Sequence, residues 1–265
     1  KKTMKKVLYL LIPLIFGSCD KEEKLTTNLT VNFTHTVDNA SLIIGLGCSN
    51  GGECLPDHSC CLNGSLLPYE NSASEKYNVQ RLQYVISDIS LHSNQDNLLL
   101  KDVHFINLED LSTLHIDIGK LENAEYTSIS FTMGLTNAKN QNNAFLNEYW
   151  HTLMIWPEIM GGGYHYMKLE GDFDTITQGY ATHTGALQMM NDPMRMDYSF
   201  NTNIPITLNV DDNLGDVSIN INMEVNNWYR NPNIYNLSSA IMGDMSKQMQ
   251  LQTNGLTDVF SASLE

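Results

Sequence analysis

Imidazoles, thioethers and thiolates are the side chains that hold soft and borderline metal ions, and all three types cluster in this sequence. The stretch from Met154 to Gly171 opens on the apolar Met154-Ile155-Trp156, breaks at Pro157 and turns through Gly161, Gly162 and Gly163. His151 and His165 flank that turn, and His183 follows Gly171 by twelve residues, inside Thr182-His183-Thr184-Gly185. Three successive glycines lose much backbone freedom on folding, so such a run marks a tight turn or a close approach of backbone to another group. A tryptophan, a glycine turn and a histidine could converge at one end of a fold; the plainer alternative is an ordinary hairpin with a core tryptophan. Further on lie Met189, Met190, Met194 and Met196. Thioethers select copper(I), but methionine is equally an adaptable core filler.

Cys48, Cys54, Cys60 and Cys61 fall within fourteen residues, with His58 among them. Adjacent cysteines rarely reach disulfide geometry without strain, so Cys48 and Cys54 are each expected to pair with one of Cys60 and Cys61, in either arrangement. The rival is a thiolate metal site with His58, although structural zinc sites use closer cysteine pairs. No His-Glu-x-x-His and no P-loop occurs, and no spacing of carboxylates singles out a catalytic pair. The expectation is therefore a protein that is not an enzyme.

The elements that must position these groups read as strands. Leu29, Val31 and Phe33 alternate with polar residues and run on to His35 and Val37. The same alternation marks Ile129 to Leu135, Ile204 to Val210 and Val217 to Val225. Strands with one apolar and one wet face belong to antiparallel sheets. In Val79 to Leu91 the apolar phase slips by one, which predicts a bulge near Ser87-Asp88. One late helix is expected, capped by Ser238 or Ser239 and packed through Ile241, Met245 and Met249. Together these predict an all-β fold, an antiparallel two-sheet β-sandwich with one late C-terminal helix.

The N-terminus reads as a targeting segment. Lys5 and Lys6 precede an apolar run, Val7 to Phe16, and small Gly17 and Ser18 precede Cys19. The run is too short to span a bilayer. This pattern resembles a bacterial lipoprotein signal over residues 1–18, with Cys19 as the lipidated first residue. Residues 19–27 then form a charged tether, and 28–265 a single sandwich domain with a Cys-rich insertion at 48–61. The formal charge is −15. Without residues 1–18, 11 basic side chains face 30 acidic ones, a net of −19. That balance excludes nucleic acid as a partner, since phosphate binding needs a basic face.

Read in order, these residues resemble the MbnP-like family, exported copper-binding β-sandwich proteins with many lipoprotein members in Bacteroidota. The matching pieces are Phe33-Thr-His35-Thr-Val37, Tyr84 to Ile89, Tyr126 to Leu135, Met154-Ile155-Trp156 with the glycines, Tyr164 and Lys168-Leu-Glu-Gly171, and His183-Thr184-Gly185. Trp228 with Pro232 and Asp258-Val259-Phe260 resemble the closing elements. The resemblance implies copper held by two histidines and by a tryptophan oxidised to kynurenine. It also implies a dihaem peroxidase-like modifying enzyme or an outer-membrane transporter as partner.

Carried over residue by residue, Trp156 is the motif tryptophan and His183 and His35 are the expected ligands. His165, His151 and the methionines 189, 190, 194 and 196 are rivals. Glu158 stands where the family often has a second tryptophan, the glycine turn is longer than usual, and the cysteine insertion has no counterpart. The implied function is an exported lipoprotein of the outer membrane, periplasm-facing or at the cell surface. It would bind copper, preferentially copper(I), for acquisition or handling at the cell envelope. The competing class is a non-enzymatic adhesion lipoprotein that grips a glycan or protein through sandwich loops, using exposed Trp150, Trp156 and Trp228.

Overall fold

The computed structural model describes residues 27–45, 66–190, 193–211, 215–238 and 241–265, with backbone only at 176 and 177. Residues 1–18, Cys19, the cysteines at 48, 54, 60 and 61, and His58 lie outside the described residues. In chain order the strands are β1 (Asn28–Val37), β2 (Ala40–Ser41), β3 (Tyr69–Glu70), β4 (Lys76–Tyr77), β5 (Arg81–Ser93), β6 (Asn97–Asn107), β7 (His115–Lys120) and β8 (Ala124–Met133). They continue as β9 (His165–Phe173), β10 (Thr175–Gly185), β11 (Leu187–Gln188), β12 (Arg195–Met196), β13 (Phe200–Val210), β14 (Val217–Glu224) and β15 (Phe260–Leu264). Among the described residues these strands are joined by two α-helices, α1 (His151–Met154) and α2 (Met245–Gly255), and three short 3-10 helices.

Two sheets face each other across one core. The smaller runs β15-β14-β1-β2 with β7 also on β1; the larger runs β13-β8-β5-β9-β4-β3, with β6 on β5 and β10 on β9. The expected alternation is what closes the sandwich. β1 turns Leu29, Val31, Phe33 and Val37 inward, and β14 turns Ile219, Ile221 and Met223. Opposite them stand Leu82, Tyr84 and Ile86 of β5, Ile129, Phe131 and Met133 of β8, and Met167 and Leu169 of β9. The predicted bulge in β5 is present: its registers with β6 and β8 slip between Ser87 and Ser90, and Asp88 takes a left-handed φ of 56°.

Three features depart from the sequence expectation. β1 and β14 pair in parallel, from Leu29 opposite Val217 to Thr36 opposite Glu224. Every other ladder among the described residues is antiparallel. A strand with one buried face looks the same in either sense, so alternation could not separate the two. The helix starts later than expected. Asp244 caps α2 by accepting from Lys247 N, and the buried face carries Gln248, Leu251 and Asn254, while Met249 points to solvent. Finally, the outer side of the larger sheet is covered. Val85, Phe105, Leu135, Trp150, Met154, Tyr164, Tyr166, Leu187 and Tyr198 form a second core there. β5 is consequently buried on both faces along its middle.

Candidate metal centre

The site grows from the β9–β10 hairpin. Pairing is regular from Tyr180 opposite Gly171 to Thr184 opposite Met167, which sets His183 opposite Lys168. Directly opposed residues share a face, so His183 lies on the Lys168 side. Met167 points into the sandwich core, and in an unbroken strand His165 would follow it there. Instead the register shifts by one between Thr184 and Gly185, and His165 stands opposite Gly185. A bulge re-aims a side chain in this way. The two imidazoles meet with ring centroids 5.0 Å apart, edge to face at 87°.

Trp156 closes the site. Its backbone N–H donates to Gly163 O at 2.9 Å, and the neighbouring Ile155 bridges to Tyr164. Its indole packs edge-on against His165 with centroids 4.7 Å apart, and Nε1 donates to Met160 O at 3.3 Å. The other ring of the indole lies on the β10 backbone: a Cβ added to Gly185 would sit 2.8 Å from Trp156 Cε3. The turn that returns the chain from Trp156 to β9 has left-handed φ at Gly161, Gly162 and Gly163 (106°, 66° and 83°). Asn140 Oδ1 accepts from Tyr164 N at 2.7 Å, and Arg195 Nη2 donates to Gly162 O at 2.7 Å. The close approach that three glycines imply is therefore real.

Hydrogen bonding fixes which ring nitrogens are protonated. Carbonyl and carboxylate oxygens only accept. His183 Nε2 must therefore donate to Glu170 Oε1, at 2.7 Å, and His165 Nδ1 to Met154 O, at 3.2 Å. In the neutral form of each ring the remaining nitrogens, His183 Nδ1 and His165 Nε2, carry the lone pairs. Both are buried and neither has a hydrogen-bond partner. Two acceptors cannot satisfy each other, and each buried orphan costs about 1–3 kcal/mol. Burial first, then the neighbouring His183, pushes the His165 pKa down to about 3, so its ring is neutral at physiological pH. The hydrogen bond from His183 outweighs burial and holds the Glu170 carboxyl below the usual carboxylate range; Arg81 Nη1 donates to its other oxygen at 2.7 Å.

Gln248 of α2 anchors the free edge of β10. Its Nε2 donates to His183 O at 2.8 Å and its Oε1 accepts from Gly185 N at 3.3 Å.

Of the residues singled out in the sequence, the structure gathers His183, Trp156 and the rival His165. It does not bring His35 to them. His35 occupies an inward position of β1, and its Nε2 shares a 3.0 Å hydrogen bond with the Tyr84 hydroxyl across the sandwich. His151 is engaged by Tyr164, with Nδ1 2.9 Å from the hydroxyl. Met189, Met190 and Met194 are exposed, so core filling does not account for them; Met196 is half-buried against the second core. Trp150, Trp156 and Trp228 are all buried, which removes the aromatic face that the adhesion reading needs.

Sequence reasoning passed over Glu170, Arg81 and Gln248. Glu170 shares the wet face of β9 with Lys168, and the hairpin register would have placed it diagonal to His183. That register was hidden, because the pairing skips from Thr175 opposite Phe173 to Gly179 opposite Asp172.

Two imidazoles whose ring centroids lie 5.0 Å apart, each with a buried ring nitrogen that has no hydrogen-bond partner, and one of them backed by a carboxylate, resemble the inner and outer shell of a histidine metal site. Among the described residues no group of three or more His, Cys, Asp or Glu side chains could hold a metal ion. The donor set therefore falls short of the four ligands of a structural zinc site and suits an ion that accepts few, soft-to-borderline ligands.

Comparison with known proteins agrees with this architecture. Among solved structures, MbnP from Methylosinus trichosporium matches over 90% of this chain and 99% of its own, with a TM-score of 0.52 and 10% identity. At that identity the likeness is one of fold. No curated protein matches the sequence. The family model MbnP matches residues 26–246, a span that holds Trp156, His165, Glu170 and His183, and on that match the chain belongs to the MbnP family.

Proposed function

We propose that this protein binds a copper ion, as copper(I), between His165 Nε2 and His183 Nδ1, and that it acquires or handles copper at the cell envelope. The observation that carries the reading is the pair of buried, unpartnered ring nitrogens, each left as an acceptor by its own hydrogen bond. Imidazole is a good copper ligand, and copper(I) accepts low coordination where zinc does not. Trp156 shields the pair from water, Glu170 orients His183, and the Met154 carbonyl orients His165. Membership of the MbnP family supports copper as the ion. Envelope placement rests on the basic and apolar leader ahead of Cys19; replacing Cys19 with Ser is expected to release the protein from the membrane fraction.

The test is a titration of reduced, metal-free protein with copper(I) against a competing chelator. His165→Ala and His183→Ala should each weaken this site by more than the roughly 10–100-fold that loss of an outer-shell partner causes. Wild-type affinity in the double variant would reject the site. The mass of the Trp156 peptide from cell-derived protein reports whether the residue remains tryptophan; binding by the two imidazoles stands in either case.

A further inference from the structure

Leucine 187 and Met196 pair, as do Gln188 and Arg195, to form a short two-stranded hairpin. It follows directly on β10, and its base is fixed. Leu187 is buried in the second core and Met196 packs against it. Arg195 donates to Asn140 O at 2.6 Å and to Gly162 O at 2.7 Å. A Cβ added to Gly161 would sit 3.0 Å from Gln188 Cβ, so the hairpin lies against the glycine turn that carries Trp156.

Met189 and Met194 are the residues immediately beyond the last pair, so they flank each other across the mouth of the loop, and Met190 adjoins Met189. Their exposures are 45%, 63% and 74%. Methionine usually fills irregular gaps in a core, and here that role is absent for three side chains grouped on one tip. The closed ladder at Gln188 and Arg195 holds the two segments that carry Met189 and Met194 side by side. Flexible thioethers on adjoining segments can close on one ion.

We propose that Met189, Met190 and Met194 form a second, solvent-facing site for copper(I), separate from the imidazole pair. Thioether sulfur is a soft donor that selects copper(I) over harder divalent ions. The complex keeps a positive charge, which the strongly acidic chain tolerates, with its formal charge of −15. The site itself does not depend on those imidazoles holding copper.

The experiment titrates reduced, metal-free full-length protein with copper(I) against graded chelators. It compares wild type with the Met189→Leu, Met190→Leu, Met194→Leu triple variant and with the His165→Ala, His183→Ala double variant. Leucine conserves methionine's volume, so the triple variant should fold as wild type does. Wild type is expected to take up a second, weaker equivalent that the triple variant lacks and the double variant keeps. The methyl resonances of these three methionines should shift on filling it. If the triple variant titrates as wild type, or the methyl signals stay still, the proposal fails. If wild type binds one equivalent that only the triple variant loses, the methionine site stands and the imidazole site falls.

Discussion

Glu170 decides how the imidazole pair behaves. It accepts from His183 Nε2 with one oxygen and from Arg81 with the other, so it fixes both the tautomer and the tilt of the ring. Replacing Glu170 with Ala frees His183 to protonate Nδ1, the nitrogen that must stay bare to hold a cation. Copper(I) affinity at the pair should fall about 10–100-fold, with little change in the denaturation midpoint because Glu170 is partly exposed. A chelator competition on the variant checks this, and unchanged affinity would show that the carboxylate is a bystander. His165 was legible as a neighbour of the glycine turn, yet not as the partner of His183. In an unbroken strand it belongs with Met167 in the core, and only a one-residue slip turns it outward. A slip of that kind leaves no mark on the apolar pattern, because Tyr166 is apolar enough to bury on either side. His35 shows the reverse: its motif drew attention, but its place in the series Leu29, Val31, Phe33, His35, Val37 already pointed it inward.

The hairpin β9–β10 and the segment that covers it act as one element. Trp156 reaches the histidines only because Gly185 has no side chain. Gly185→Ala would put a methyl 2.8 Å from the indole, and the ring must move. Overpacking of this kind costs about 1–3 kcal/mol, and here it should also disturb copper binding. Gly179→Ala is the control on the same strand, since its nearest neighbour stands 3.7 Å away. Denaturant midpoints and near-ultraviolet circular dichroism of the two variants make the comparison. Equal effects would mean that the tryptophan contact is not what constrains Gly185. The covering segment from Leu135 to Gly163 was the least legible part of the chain. It has no helical or strand period, and its aromatic residues bury through the irregular packing of Phe145, Trp150 and Tyr164. By contrast β1, β13 and β14 were legible because each has one dry and one wet face, and β8 because apolar and polar residues alternate along it even where both faces are buried.

Across the whole molecule, His35 is a polar rivet between the two sheets. Burial lowers its pKa to about 4 from an ordinary 6.5. Between those values the unfolded chain takes up a proton that the folded chain refuses, so stability falls as pH drops from about 6.5 to about 4. The loss from this residue amounts to about 3 kcal/mol at most. His35→Gln can keep a hydrogen bond to Tyr84 and cannot titrate. Denaturation of the metal-free proteins at pH 7 and pH 5 should show a flatter dependence in the variant, whatever its absolute stability. An equal slope would place the acid sensitivity elsewhere.

The parallel ladder between β1 and β14 ties the two ends of the chain together, with hydrogen-bonded side chains such as Asn32 and Asn220 lying 188 positions apart. A chain is made from its N-terminus onward, so β1 emerges first and must wait for residue 217 before that side of its backbone is paired. Its other neighbours, β2 and β7, can arrive much sooner. Contacts of such long reach slow folding, and an open strand edge invites pairing with other molecules. Until β14 arrives, the folding chain is thus most exposed to misassembly along Leu29 to Thr36.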